Sequence, residues 1–211
     1  MTDGMRDDRT GLNEYGYPRW IDGLRLEDYC ISVVRDVDER QALERIGVRP
    51  QQIRTVTLDD TDPSAGGRSE VWGLVGDDAR ESFAVAIAAG FGDWTLVVED
   101  GGVTACEEDA MAELSRGTEA ASCYLSVNAD TWFTYAVDGE VLVSDESLIP
   151  DGTEPPRLAA ALAAAGVAGP QNDEAEGDDF GLHERVVCAL AGLQLTAADF
   201  RGRPLLAAPR G

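Results

Sequence analysis

The sequence predicts an α+β domain with a mainly antiparallel sheet of about six strands and helices packed on one face. Three observations carry that prediction. Runs rich in β-branched and aromatic residues cluster in the chain instead of alternating one for one with helices. An Asp138-Gly139 pair separates two alternating runs, a strong hairpin signal because both turn positions need positive φ. The helical segments are short and bounded by start and stop residues, such as Asp38 and Gly47 or Pro156 and Gly166.

The elements follow in chain order. Residues 1–19 are polar and contain Gly, which predicts a flexible N-terminal arm, with 20–211 as a single domain. "EDYCISVVRDV" predicts a first strand from about Tyr29 to Arg35. In "DERQALERIGV" Asp38 caps a helix whose inner stripe is Ala42, Leu43 and Ile46. "QQIRTVTLDD" reads either as a short strand or as an extended lead into the loop at 59–70. "FAVAIAAGF" and "WTLVVED" predict two strands around Gly92-Asp93, the first apolar enough to be covered on both faces, although its Ala content also suits a buried helix. "CEEDAMAELSRG" predicts a short helix with Met111 and Leu114 inward, followed by three strands around Tyr124, Phe133 and Val141. "PPRLAAALAAAGV" is a helix opened by Pro156, and residues 169–179 have the composition of an exposed acidic linker. A last helix spans about Leu182 to Gly192, and Thr196 caps one more turn.

At 211 residues the chain can bury roughly 70% of its unfolded surface, so it needs no covalent staples. Its net charge is −23, and residues 61–155 hold twenty acidic residues against three arginines. A field of that sign repels nucleic acid and anionic membranes and attracts basic protein surfaces, polyamines or divalent metals. Solubility alone also accounts for such a charge. All seventeen basic residues are Arg, which excludes Schiff-base, phosphate-loop and general-base lysine chemistry. Cys30, Cys106, Cys123 and Cys188 form no C-x-x-C pair, and three of them sit in apolar runs as buried free thiols. With no leader pattern and no apolar run of about eighteen residues, the expectation is a soluble cytoplasmic protein.

Several stretches, "DYCISVVRDVDERQALERIG", "GDWTLVVEDGG", "AELSRGTEAASCYLSVNADTWFTYAVDGE" and "ALAGLQLTAADF", resemble an uncharacterised family of domains of unknown function from high-GC Gram-positive bacteria. The resemblance covers about residues 20–200. It is carried by Tyr29, Cys30 and Arg35, by the Trp94 strand, and by Asn128-Ala129-Asp130 with Phe133. It implies a common fold and transfers no activity.

Nucleophilic catalysis has little to build on. The single histidine, His183, lies five residues before Cys188, so on one helix the two point about 140° apart. Asp179 and His183 have a spacing that suits a metal, with Glu176 or Asp178 nearby, but it equally suits an exposed helix start with a surface histidine. Glu107, Glu108, Asp109 and Glu113 lack the spacing of a calcium loop and fit first-turn helix acids. Among forty acids, Glu99 and Asp130 are the candidates for a two-carboxylate site, each beside a Trp-bearing strand. Asn128 and Asp130 also suit a turn, and alternation puts Trp132 and Phe133 on opposite sheet faces.

The expected binding residues are therefore Arg35, Trp94, Glu99, Asn128, Asp130 and Trp132, with no catalytic residue, metal or cofactor. The expected function is that of a non-catalytic acidic module, of inhibitor or immunity type, which engages a basic protein partner. The alternative is a small-molecule-binding protein or enzyme using carboxylates in a cleft beside the sheet. The sequence leaves oligomeric state open.

Overall fold

A computed structural model describes residues 11–58, 69–75, 82–146, 148, 152–167 and 181–210. The loop expected at 59–70 falls largely outside the described residues, as does the linker at 169–179. A central strand is the first one in the chain, Tyr29–Arg35 (β1), in which Tyr29, Ile31, Val33 and Val34 are β-favouring residues. It lies between β4 (Trp94–Asp100) and β5 (Glu119–Leu125). The remaining strands are β2 (Arg54–Thr57), β3 (Ala84–Phe91), β6 (Thr131–Val137), β7 (Glu140–Asp145) and β8 (Pro204–Arg210). Their order is β2-β8-β3-β4-β1-β5-β6-β7, and every neighbouring pair is antiparallel.

Turn chemistry explains two of the hairpins. Asp138 and Gly139 have φ of 50° and 82°, so both turn positions between β6 and β7 are left-handed, as the Asp-Gly pair predicts. Between β3 and β4 only Gly92 is left-handed, with φ 63°.

The expected count of about six strands becomes eight. β2 forms because its exposed Thr55 and Thr57 alternate with the half-buried Arg54 and Val56, and because β8 is there to receive it. β8 carries two prolines, which disguise it as a loop. Pro204 is its first residue, and Pro209 lies beyond the four positions paired with β2, so neither interrupts both ladders.

Helices cover both faces of the sheet, which corrects the expectation of one. Trp20, Ile21 and Leu24 from α1 (Arg19–Leu24) pack on one side, together with Val71 from α3 (Glu70–Gly73). Leu158 from α5 (Pro156–Ala164) and Val186 from α6 (Leu182–Leu190) complete that layer over Ile31, Val33, Leu96 and Phe133. Leu43 from α2 (Glu39–Arg45) and Met111 and Leu114 from α4 (Glu108–Leu114) cover Val34, Val97, Ala120 and Ala136 on the other. Two-sided coverage explains why β1, β3 and β4 are apolar or buried at nearly every position. Met111 and Leu114 are fully buried, contributing about 1.5–3 kcal/mol each, and fix α4 against the sheet.

Of the expected arm, residues 11–18 form a closed loop in which Leu12 bridges to Pro18 and the Asn13 side chain accepts from the amides of Tyr15 and Tyr17. Residues 1–10 lie outside the described residues. Among the described residues, no helix is long and apolar enough to cross a membrane.

Candidate functional site

The six residues expected to bind fall into three places. Arg35 and Trp94 pair directly at one end of the sheet. Trp94 is core, with 8% of its surface exposed, and the Arg157 guanidinium lies 5.6 Å from its ring centre. Arg157 Nε also pairs with Glu119 Oε1 at 2.8 Å. Arg35 lines a shallow groove of about 390 Å³ with Asp36, Thr118, Glu119 and Asp138.

Asn128 and Asp130 lie at the opposite end, about 20 Å away along β1. The hub of their turn is Ser126, not an Asx side chain. Its hydroxyl donates to Asp130 Oδ2 at 2.9 Å and accepts from the amides of Asn128 and Asp130 at 3.1 and 3.0 Å. Trp132 and Phe133 point to opposite faces as alternation requires. Phe133 is fully buried, and the half-buried Trp132 donates Nε1–H to Ser144 Oγ at 3.0 Å.

Glu99 shares a cross-strand row with Cys30, Tyr124 and Trp132, which puts three strand spacings, about 14 Å, between the carboxylate strand and the Trp132 strand. It has no exposed surface and so lines no cleft. The carboxylates expected in a common cleft, Glu99 and Asp130, are therefore apart.

What Glu99 does instead is hold Arg210. Arg210 Nη1 donates to Glu99 Oε1 at 2.5 Å, Nη2 to Glu107 Oε2 at 2.5 Å, and Nε to the Ile46 carbonyl at 3.2 Å. Three segments, β4, β8 and the end of α2, are thereby tied to the start of α4. Burial pushes the Glu99 carboxyl above its usual range, although Arg210, Thr104 and Cys30 pull it back. Burial works against the charge of Arg210, but Glu99 and Glu107 outweigh it and hold its pKa up. Gly102 seals the pair from above, since a Cβ there would lie 2.4 Å from Glu99 Cβ. Sequence spacing gave no signal for Arg210, because its partner is 111 residues away.

Beside this pair the sheet face is polar, for a local reason. The 3-10 turn Thr104–Cys106 sits on it and needs partners for its backbone. The Ala105 amide donates to Cys30 Sγ at 3.2 Å, and Thr134 Oγ1 donates to the Ala105 carbonyl at 2.6 Å. Ser122 Oγ is hydrogen-bonded to Ser32 Oγ at 2.7 Å and to Cys30 Sγ at 3.1 Å. Burial, reinforced by the Glu99 charge, pushes the Cys30 thiol well up, so it stays protonated and unreactive. Cys123 and Cys188 are likewise buried thiols, Cys188 pushed up to about 12, whereas Cys106 is exposed.

His183 is not the surface histidine expected. It is 6% exposed, with its ring 5.9 Å from that of Phe133. The neighbouring Glu184 is buried too and accepts a hydrogen bond of 2.8 Å from the Tyr29 hydroxyl. Asp179, its proposed metal companion, lies outside the described residues. Among the described residues no group of three or more His, Cys, Asp and Glu side chains could hold a metal ion.

The larger opening is a groove of about 670 Å³ between the end of α2 and α4. Arg45, Gly47 and Arg210 line one side, and Glu107, Glu108, Asp109 and Glu113 the other. Both arginines are committed to internal acceptors, Arg45 through Nη1 to the carbonyls of Leu114 and Arg116 at 2.9 and 3.0 Å. Glu107, Glu108 and Asp109 remain exposed at the rim. These are the acids that the sequence marked as first-turn helix residues, and they do occupy the first turn of α4 and its cap.

Compared with known proteins, residues 12–200 match the model of one protein family. No curated protein and no solved structure matches the chain.

Proposed function

Because the chain belongs to DUF6461, a family of unknown function, its role has to be read from its own surface, and we propose that it is a non-catalytic acidic module that engages a basic protein partner. One observation carries this reading. Of the buried acids of the central segment, Glu99 is matched by Arg210 and Glu119 by Arg157, while Asp100 accepts from the Ser69 hydroxyl, and most of the exposed ones lie along α4 and the β6–β7 hairpin. Glu107, Glu108 and Asp109 rim the groove, and Asp138, Glu140, Asp145 and Glu146 are exposed along the β6–β7 hairpin at the sheet edge. Such a surface steers a cationic partner and repels nucleic acid and anionic membrane. Three of the four thiols and the single histidine are buried, and the exposed thiol, Cys106, lies on a different element from that histidine.

An inhibitor or immunity-type protein that masks a cationic surface is the narrowest form of this reading. A cytoplasmic site of action and an origin in high-GC Gram-positive bacteria belong to the same proposal, the latter supported by seventeen arginines and no lysine.

The test is capture from host lysate at low and then raised salt, followed by native mass spectrometry, with a Glu108→Arg/Asp109→Arg variant in parallel. A basic protein bound in fixed stoichiometry, released as salt rises and absent from the variant, is the expected result. Recovery of the protein alone with a bound small mass, or a complex indifferent to salt, would overturn the proposal.

A further inference from the structure

The two edges of the sheet differ in charge. β2, at one edge, is four residues long and carries the neutral Thr55 and Thr57 outward. β7, at the other, runs for six residues with Glu140 and Asp145 exposed at its ends and Glu146 exposed just beyond. Leu142, midway along it, is 42% exposed.

A bulge gives this edge its geometry. Tyr135 opposes Val143, but Ala136 opposes Val141, so Leu142 is an extra residue with no partner on β6. Glu140 and Asp145 are five positions apart, and in a regular strand they would point to opposite faces. With the extra residue they oppose Val137 and Phe133, which are four apart and pack into the same apolar layer. The bulge therefore brings both carboxylates to one face of the edge.

A short, bulged and acidic edge rejects a second copy of itself, since pairing two β7 strands would set like charges side by side. The same features suit a strand of opposite charge. We propose that β7 is the docking strand for an extended, arginine- or lysine-rich segment, which adds to the sheet by backbone pairing. Cationic side chains four residues apart face Glu140 and Asp145, and an apolar residue between them meets Leu142. This proposal rests on the basic-partner reading and names the surface and conformation that reading would use.

The test uses a synthetic alternating Arg-Thr peptide of about ten residues as the probe, with an alternating Asp-Thr peptide as control. Binding is measured by calorimetry at two salt concentrations, and amide hydrogen exchange is followed along the chain. The Arg-Thr peptide should bind, lose affinity with salt and slow exchange within 140–146, and Glu140→Lys/Asp145→Lys should weaken it by about tenfold or more without changing the circular dichroism. Binding that protects the α2–α4 groove and leaves β7 unchanged overturns the edge proposal while the basic-partner reading stands. Failure of the Arg-Thr peptide to bind overturns the edge proposal, and lysate capture of a salt-released basic protein then tells whether the broader reading survives. Protection of β7 that grows with protein concentration in the absence of peptide assigns the edge to a second copy and also overturns it.

Discussion

Replacing Arg210 with Met is expected to cost the fold about 3–5 kcal/mol at pH 8, the usual penalty for breaking a buried ion pair from one side. Met keeps most of the side-chain stem, so the loss falls on the charge and its three hydrogen bonds. Glu99, with no exposed surface, keeps Thr104 and Cys30 beside it but loses its cation. For a urea slope of about 2 kcal/mol per molar, the unfolding midpoint should fall by on the order of 2 M. The diagnostic feature is pH. The Glu99 pKa is already raised in the folded state, so the folded protein holds that proton more tightly than the unfolded chain does. The resulting contribution to stability is fully present below the ordinary carboxylate range and is lost as pH rises through the folded value. Without Arg210 the folded value climbs further, each unit being worth about 1.4 kcal/mol. The deficit of the variant should therefore shrink as pH is lowered from 8 to 5. Adding Glu99→Gln should restore part of the lost stability at pH 8. A deficit equal at both pH values, or a double variant no more stable than the single one, would refute the account and assign the cost to packing around Ile46.

Other outcomes test the surrounding structure. Gly102→Ala should destabilise by about 1–3 kcal/mol through overpacking against Glu99, seen as a lower thermal midpoint. Tyr29→Phe removes a donor from the buried Glu184 carboxylate and should cost about 1.5–3 kcal/mol in a urea titration. In the native protein a thiol reagent should modify Cys106 alone among the four cysteines, and faster as pH rises, because burial and Glu107 raise its pKa. Rapid labelling of Cys30, Cys123 or Cys188 before unfolding would contradict the packing described.

The parts of the fold that were legible in the sequence are those fixed by neighbours in the chain. Asp138-Gly139 dictates its own turn, Asp38 caps α2 through the Gln41 amide, and Met111 and Leu114 face inward as their spacing requires. β8 was illegible because its prolines are tolerated only where β2 ends, a fact of tertiary pairing. Two-sided coverage was foreshadowed by the apolar "FAVAIAAGF", yet other strands also carry polar positions, as a strand with one open face would. Those positions turned out to be Ser32, Ser122, Thr134 and Glu99, all buried beneath the Thr104–Cys106 turn. Glu99 drew notice as an acid near a tryptophan strand, but its role depends on an arginine that only the sheet order brings near.

That sheet order also governs when the fold can be completed. β2 has a single strand neighbour, β8, and Arg54 meets Ala207 across roughly 150 residues of intervening chain. During vectorial synthesis, β2 and the open side of β3 have no strand to pair with until residues 204–210 clear the ribosome. A nascent chain halted before that point can assemble β3, β4, β1, β5, β6 and β7, but it lacks Arg210 and so holds Glu99 without its cation. Completion of the sheet is thereby deferred to the last strand, which delivers the missing ladder and the neutralising charge in one event.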